Sequence, residues 1–240
     1  MAEYQSVRTA GVGARTAQID EGLRAHMNKV YGLMSVAMVI TGAVAYLVGT
    51  NEQLLAAIFG SPLKWVVMFA PLAVVFAFGA MLNRMSQATA QMVFWLFSGL
   101  MGLSISYIFA VYTGVSIAQT FLVTAIAFAG LSLYGYTTKR DLSGFGTFLI
   151  MGVIGLIVAS IVNLFLMSSA IHFAVSVLGV LIFAGLTAYD TQKIKSTYIV
   201  HAHSGDTEWL GKAAIMGALS LYLDFLNMFM FLLQFLGNRE

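Results

Sequence analysis

The sequence predicts an all-α integral membrane protein with seven helices across a bilayer, and two observations carry that prediction. Hydrophobic residues make up 60% of the 240-residue chain and charged residues only 9%. A soluble domain carries about 25% charged residues, because its surface must stay hydrated. The few charges are also clustered, leaving uncharged stretches long enough to cross the roughly 30 Å of hydrocarbon that about 20 residues span as a helix. There is also no cysteine, which removes disulfides, thiolate metal sites and a cysteine nucleophile from consideration.

The spans follow from the gaps between charges. Val30 to Asn51 is uncharged over 22 residues and Trp65 to Asn83 over 19, with Pro71 as an expected kink. Met85 to Thr138 holds 54 uncharged residues and breaks at the turn-like Tyr112-Thr113-Gly114, giving helices near 91–112 and 116–136. Leu142 to Tyr189 holds 48 and breaks near Ser168-Ser169, giving helices near 147–167 and 171–190. Ala213 to Asn238 carries a single charge, Asp224, and makes the seventh span. Residues 1–26 read as a cytoplasmic, disordered tail and 27–240 as the seven-helix domain. No cleavable signal peptide is evident, and the first apolar run is expected to act as an uncleaved insertion signal.

Orientation follows from lysine and arginine. Seven spans put ten of the twelve on one side, including Arg84, Lys139, Arg140, Lys193, Lys195 and Lys212, and leave Lys64 and Arg239 on the other. The amino terminus is therefore expected in the cytoplasm and the carboxyl terminus across the membrane. Short uncharged outer turns and longer basic inner loops suggest three hairpins (spans one and two, three and four, five and six) followed by an unpaired seventh helix. No run of basic residues forms a nucleic-acid stripe, so no nucleic-acid partner is expected; the surroundings are lipid.

Two ionisable groups fall within the spans, Asp190 near the end of the sixth and Asp224 in the middle of the seventh. A charge at membrane depth costs several kcal/mol and marks a pathway, a proton site or an ion site. Asp190 also reads as an interface charge or cap, whereas Asp224 has no such refuge. Ser220, Asp224, Asn227 and Gln234 fall at i−4, i, i+3 and i+10, one polar stripe on an otherwise apolar helix. Interhelical hydrogen bonding accounts for Asn227 and Gln234, but poorly for a carboxylate. Two facing carboxylates in low dielectric cannot both ionise cheaply and titrate as a unit. When charged, the pair suits a hard cation such as Ca²⁺, transported or transiently bound. Arg84 is the nearest counter-charge for the pair, and reads equally as a positive-inside anchor. His201 and His203, with Asp206 and Glu208, form a weaker pH-sensing or metal-binding candidate in the loop before the last span. The tryptophans read as interface anchors or core, and no resident cofactor is expected.

The stretch Phe183-Ala184-Gly185-Leu186-Thr187-Ala188-Tyr189-Asp190-Thr191-Gln192-Lys193-Ile194-Lys195 resembles the signature of the Bax-inhibitor family of membrane proteins, in its bacterial form. Ala218-Leu219-Ser220-Leu221-Tyr222-Leu223-Asp224-Phe225-Leu226-Asn227 resembles the family's last helix, and Tyr134 to Leu142 the segment after its fourth. The resemblance implies six helices in three hairpins around a central seventh. It also implies a pH-gated Ca²⁺ leak in which a carboxylate pair, here Asp190 and Asp224, is engaged by an arginine, matched in location by Arg84. The segment from Thr197 to Gly211 reads as a loop longer than in shorter members. A second role implied by bacterial relatives is binding and restraining a membrane protease in quality control, without catalysis. An inner (plasma) membrane location is expected. An enzymatic reading fails on its motifs: no Gly-Xaa-Gly-Asp precedes Asp224, and both prolines lie at 62 and 71. The seventh span has no lysine for a retinal Schiff base.

Overall fold

The structure, a computed structural model, describes the backbone of residues 2–202 and 205–238, with side chains from residue 19 onward except Asn83. Eight α-helices account for nearly all of it: α1 (Ala2–Gly49), α2 (Glu52–Phe59), α3 (Leu63–Met81), α4 (Gln87–Ile105), α5 (Gly114–Thr137), α6 (Ser143–Leu166), α7 (Ser169–His201) and α8 (Thr207–Leu236). Seven of them are long and apolar enough to cross a membrane; α2 is a short surface helix between the first two. Polar side chains start the helices where the sequence turns. Asn51 accepts from the Gln53 and Leu54 N–H groups, Ser86 from Thr89, Thr113 from Ser116, Ser168 from Ile171 and Asp206 from Trp209. Each cap satisfies backbone donors that have no partner within the helix.

Two boundaries differ from the sequence reading. The first helix does not begin at Met27: residues 19–26 are already helical, and Leu23 and His26 are buried. Their spacing puts them on the face that continues through Met27 and Val30, so the polar segment is helical because half of it packs. Thr197 to Gly211 is likewise not a loop. Helix α7 runs on to His201, α8 starts at Thr207, and Asp206 caps the restart. Helix α3 continues through Pro71, which is buried. Arg239 and His203 lie outside the described residues.

The packing is centred on α8. It lies along α7 above all, then α1, α5 and α4, and 61% of its apolar window is buried, against 11% for α3 and for α6. The expected pairing of consecutive helices holds only in part. Helices α6 and α7 pack closely, but α1 lies along α4 rather than α3, and α5 lies along α7 rather than α4. Charge spacing counts the spans but carries no information about which faces meet. Glycines mark two of the close crossings: a Cβ on Gly102 would strike the Thr41 carbonyl of α1, and one on Gly135 would strike the Ala188 carbonyl of α7. Small residues of this kind let membrane helices approach closely where no hydrophobic effect drives them together.

Candidate functional site

The antiparallel register of α7 and α8 fixes where the two carboxylates stand. The Phe231 ring lies against Gly179 and Ile194 against Gly217, so facing residue numbers sum to about 410. Asp190 is therefore level with Ser220, and Asp224 stands four residues deeper, about 6 Å along the axis, level with Thr187. Asp190 is half-buried, whereas Asp224 is 4% exposed. The two carboxylates thus lie about one turn apart along the α7–α8 seam. The extension of α7 beyond the basic residues brings the pair to one neighbourhood, since a helix ending at Asp190 would have left that carboxyl at the surface. One Asp224 oxygen, Oδ2, is buried with no hydrogen-bond partner among the described residues. That is unusual, because buried polar atoms are nearly always paired.

A cavity of about 430 Å³ lies at the basic end of the bundle and is lined by Asp190, Ser220, His26, Lys193, Lys212 and Trp209. Three of these residues were not singled out by the sequence. His26 stacks obliquely on Tyr198, ring centroids 4.9 Å apart. Lys212 donates to the Met85 carbonyl at 3.1 Å and pairs with Glu208 at 3.4 Å, tying α8 to the turn between α3 and α4. Lys193 lies one turn from Asp190 on α7. Arg84 stands elsewhere: it ends a single 3₁₀ turn (Leu82–Arg84), is exposed, and makes no ion pair with a described residue. The cations that line the cavity beside Asp190 are Lys193 and Lys212, whose positions in the sequence read only as positive-inside anchors.

At the depth of Asp224 the bundle becomes aromatic. Tyr222 is fully buried, with Phe94 and Phe97 edge-on to its ring at 5.9 and 5.8 Å. The Thr41 hydroxyl donates to the Ser98 carbonyl at 2.9 Å, so the 2.7 Å contact between Tyr222 Oη and Thr41 Oγ1 has the tyrosine as donor. Phe225 packs edge-on against Phe121 and Phe128. The rest of the polar stripe is accounted for locally. Asn227 donates to the Leu223 carbonyl of its own helix at 2.8 Å, and Gln234 accepts from Ser176 on α7 at 3.3 Å. Ser220 faces the cavity, and Asp224 is the stripe member with a buried oxygen that no described residue satisfies.

The weaker candidates are structural. His201 stacks on Trp209 at 4.0 Å with Nδ1 at 3.0 Å from the Thr197 carbonyl, and Asp206 caps α8. Among the described residues no three histidine or acidic side chains converge as a metal site. Two carboxylates supply fewer oxygens than the six to eight that Ca²⁺ takes. A cation at Asp190 and Asp224 would need water or backbone oxygens as further ligands.

Comparison with known proteins bears on the whole chain. The family described as "Inhibitor of apoptosis-promoting Bax1" matches residues 23–240. The chain is 47% identical over 220 residues to the inner membrane protein YbhL of Escherichia coli K12, covering 91% of this chain and 94% of that protein. It is 46% identical over 233 residues to the uncharacterized protein RP147 of Rickettsia prowazekii, covering 97% and 98%. A Caulobacter vibrioides protein is 49% identical over 232 residues, covering 92% of each.

Proposed function

The chain belongs to the Bax inhibitor family, and from that premise we propose that it is a multi-pass inner-membrane protein forming a pH-sensitive cation leak, with Ca²⁺ as the cargo. The observation that carries the proposal is the position of Asp224: a buried carboxyl with one unpartnered oxygen, one turn beyond a cavity that already holds Asp190. A bare buried carboxylate is expensive, and water is the cheapest partner for it. Charging the pair is therefore coupled to hydrating the α7–α8 seam, and a hydrated seam passes cations. Protonation of the pair biases a two-state equilibrium between a sealed and a wet bundle. The amino terminus is cytoplasmic and the carboxyl terminus is across the membrane, so the cavity with Lys193 and Lys212 opens to the cytoplasm. Arg84, on the same side, is available to engage the pair in the other state of that equilibrium.

The test is Ca²⁺ influx into liposomes carrying a Ca²⁺-sensitive dye, recorded from about pH 6 to 8, a range in which coupled buried carboxyls act. Wild-type flux is expected to vary with pH, and the Asp190→Asn, Asp224→Asn double variant to lose that dependence. Absence of flux above empty liposomes, with the protein folded, would replace this reading with the protease-binding role. In that case deletion of residues 1–20 should release the bound partner.

A further inference from the structure

Helices α1 and α5 both lie against α8 but are not packed closely against each other, and the gap between them is lined by one face of each. On α1 that face runs Arg24, Asn28, Tyr31, Ser35, Met38 and Gly42; on α5 it runs Phe121, Ala125, Phe128, Ser132 and Tyr136. Both series step by three or four residues, so each is a single stripe along its helix. Two cavities of about 520 Å³ each lie along the gap and share Tyr31 and Phe128, so they form one trough. Phe225 of α8 lies at its inner wall.

The trough has a polar end and an apolar end. At the basic end, Arg24 is exposed and makes no ion pair with a described residue, and Asn28 lies beside it. Tyr136 lines the same end and carries Lys195, whose Nζ donates to its carbonyl at 2.8 Å and lies 5.2 Å from its ring centre. Where the two cavities meet, Tyr31 donates to Ser132, Ser132 to Thr191 and Thr191 to the Thr187 carbonyl, tying α1 and α5 to α7. Beyond that link the lining is Met34, Met38, Val39, Gly42, Phe121 and Ala125 with Ser35 as its polar member, and a Cβ placed on Gly42 would meet nothing within 4 Å. From Arg24 to Gly42 is 18 residues, about 27 Å of helix. That is somewhat more than half of the roughly 40–45 Å thickness of a bilayer with its headgroups, room for one leaflet's headgroup and acyl chain.

We propose that this trough binds one anionic glycerophospholipid, its phosphate on Arg24 and Asn28 and one acyl chain along α1 and α5 to Gly42. A guanidinium matches a phosphate with two parallel N–H donors, and an unpaired one at the mouth of an apolar trough selects an amphiphile charged at one end. The site is separate from the carboxylate pair and does not depend on the leak function.

The experiment reconstitutes the full chain in an equal mixture of phosphatidylglycerol and phosphatidylcholine, extracts it gently, and counts retained lipids by native mass spectrometry. The wild type should retain one phosphatidylglycerol in preference to phosphatidylcholine. Arg24→Gln should cut that preference about fivefold, the factor one interfacial basic residue contributes. Gly42→Phe, which fills open space, should expel lipid of both kinds while leaving the helical content and the monodisperse elution unchanged. Retained lipid in the ratio of the mixture, lipid unaffected by either variant, or cross-linking of Gly42→Cys to a second copy would each overturn the proposal.

Discussion

Helices α6 and α8 are both apolar and long enough to cross a membrane, yet they occupy opposite places in the bundle. Helix α6 is the most apolar of the seven, with 11% of its apolar window buried; α8 is among the least apolar, with 61% buried. In water the ranking would be reversed. In lipid, leucine gains nothing by leaving the hydrocarbon, so the greasiest helix stays outside and the helix with hydroxyls, amides and a carboxyl takes the centre. Polar content, rather than hydropathy, marks the core of this fold.

The largest expected difference between the two helices comes from one substitution made in each. Leu221 of α8 is fully buried and Leu164 of α6 is 72% exposed. Leu221→Ala should cost about 2–5 kcal/mol through the cavity it leaves, whereas Leu164→Ala should stay within about 0.5 kcal/mol. Unfolding titrations in mixed micelles measure both, and equal losses would break the contrast. Next come the polar links of α8. Thr41→Val leaves the Tyr222 hydroxyl buried without an acceptor and should cost about 1–3 kcal/mol. Tyr222→Phe keeps the Thr41 bond to Ser98 and should cost less, about 0.6 kcal/mol for one membrane hydrogen bond; the same titration ranks the two.

Smaller still, Gln234→Ala should cost about 0.6 kcal/mol by losing Ser176 on α7. Asn227→Ala, whose bond lies within its own helix, should cost less than that. The smallest effect lies at the watery start of α6. The Ser143 side chain and backbone N–H beside Asp141 hold its carboxyl below the usual value of 3.8. A depressed folded-state value means that this stabilisation is present above 3.8 and fades as the pH falls below it through the depressed value. Asp141→Ala should abolish that dependence, seen as an unfolding midpoint that no longer shifts at acid pH.

Much of this architecture was legible in the residues themselves. Charge gaps located all seven spans, and helical spacing placed Ser220, Asp224, Asn227 and Gln234 on one stripe. Asp190 and Asp224 could be paired because a carboxyl at membrane depth needs a reason to be there. The helical state of residues 19–26 was hidden, because a polar segment shows no amphipathic signal until its packing partner is known; His26 and Leu23 are buried by helices far away in sequence. Lys212 was unreadable for a similar reason, since its acceptor is the Met85 carbonyl, 127 positions away. Arg84 shows a different limit of charge patterning. It reads as the nearest counter-charge because it ends the second span at the basic side, but which way the chain turns there depends on the 3₁₀ turn Leu82–Arg84, which leaves it exposed.

In the proposed leak, the seam between α7 and α8 opens at Asp224 when the carboxylate pair changes charge. The chain has no cysteine, so single thiols can be introduced without background. A membrane-impermeant thiol reagent applied from the basic side should modify Ser220→Cys at every pH, because that position lines the cavity. Asn227→Cys, just beyond Asp224, should react at a rate that changes between about pH 6 and 8, and the change should vanish when Asp190→Asn and Asp224→Asn are added. A rate at position 227 that is independent of pH, or a dependence that survives loss of both carboxylates, would contradict the account.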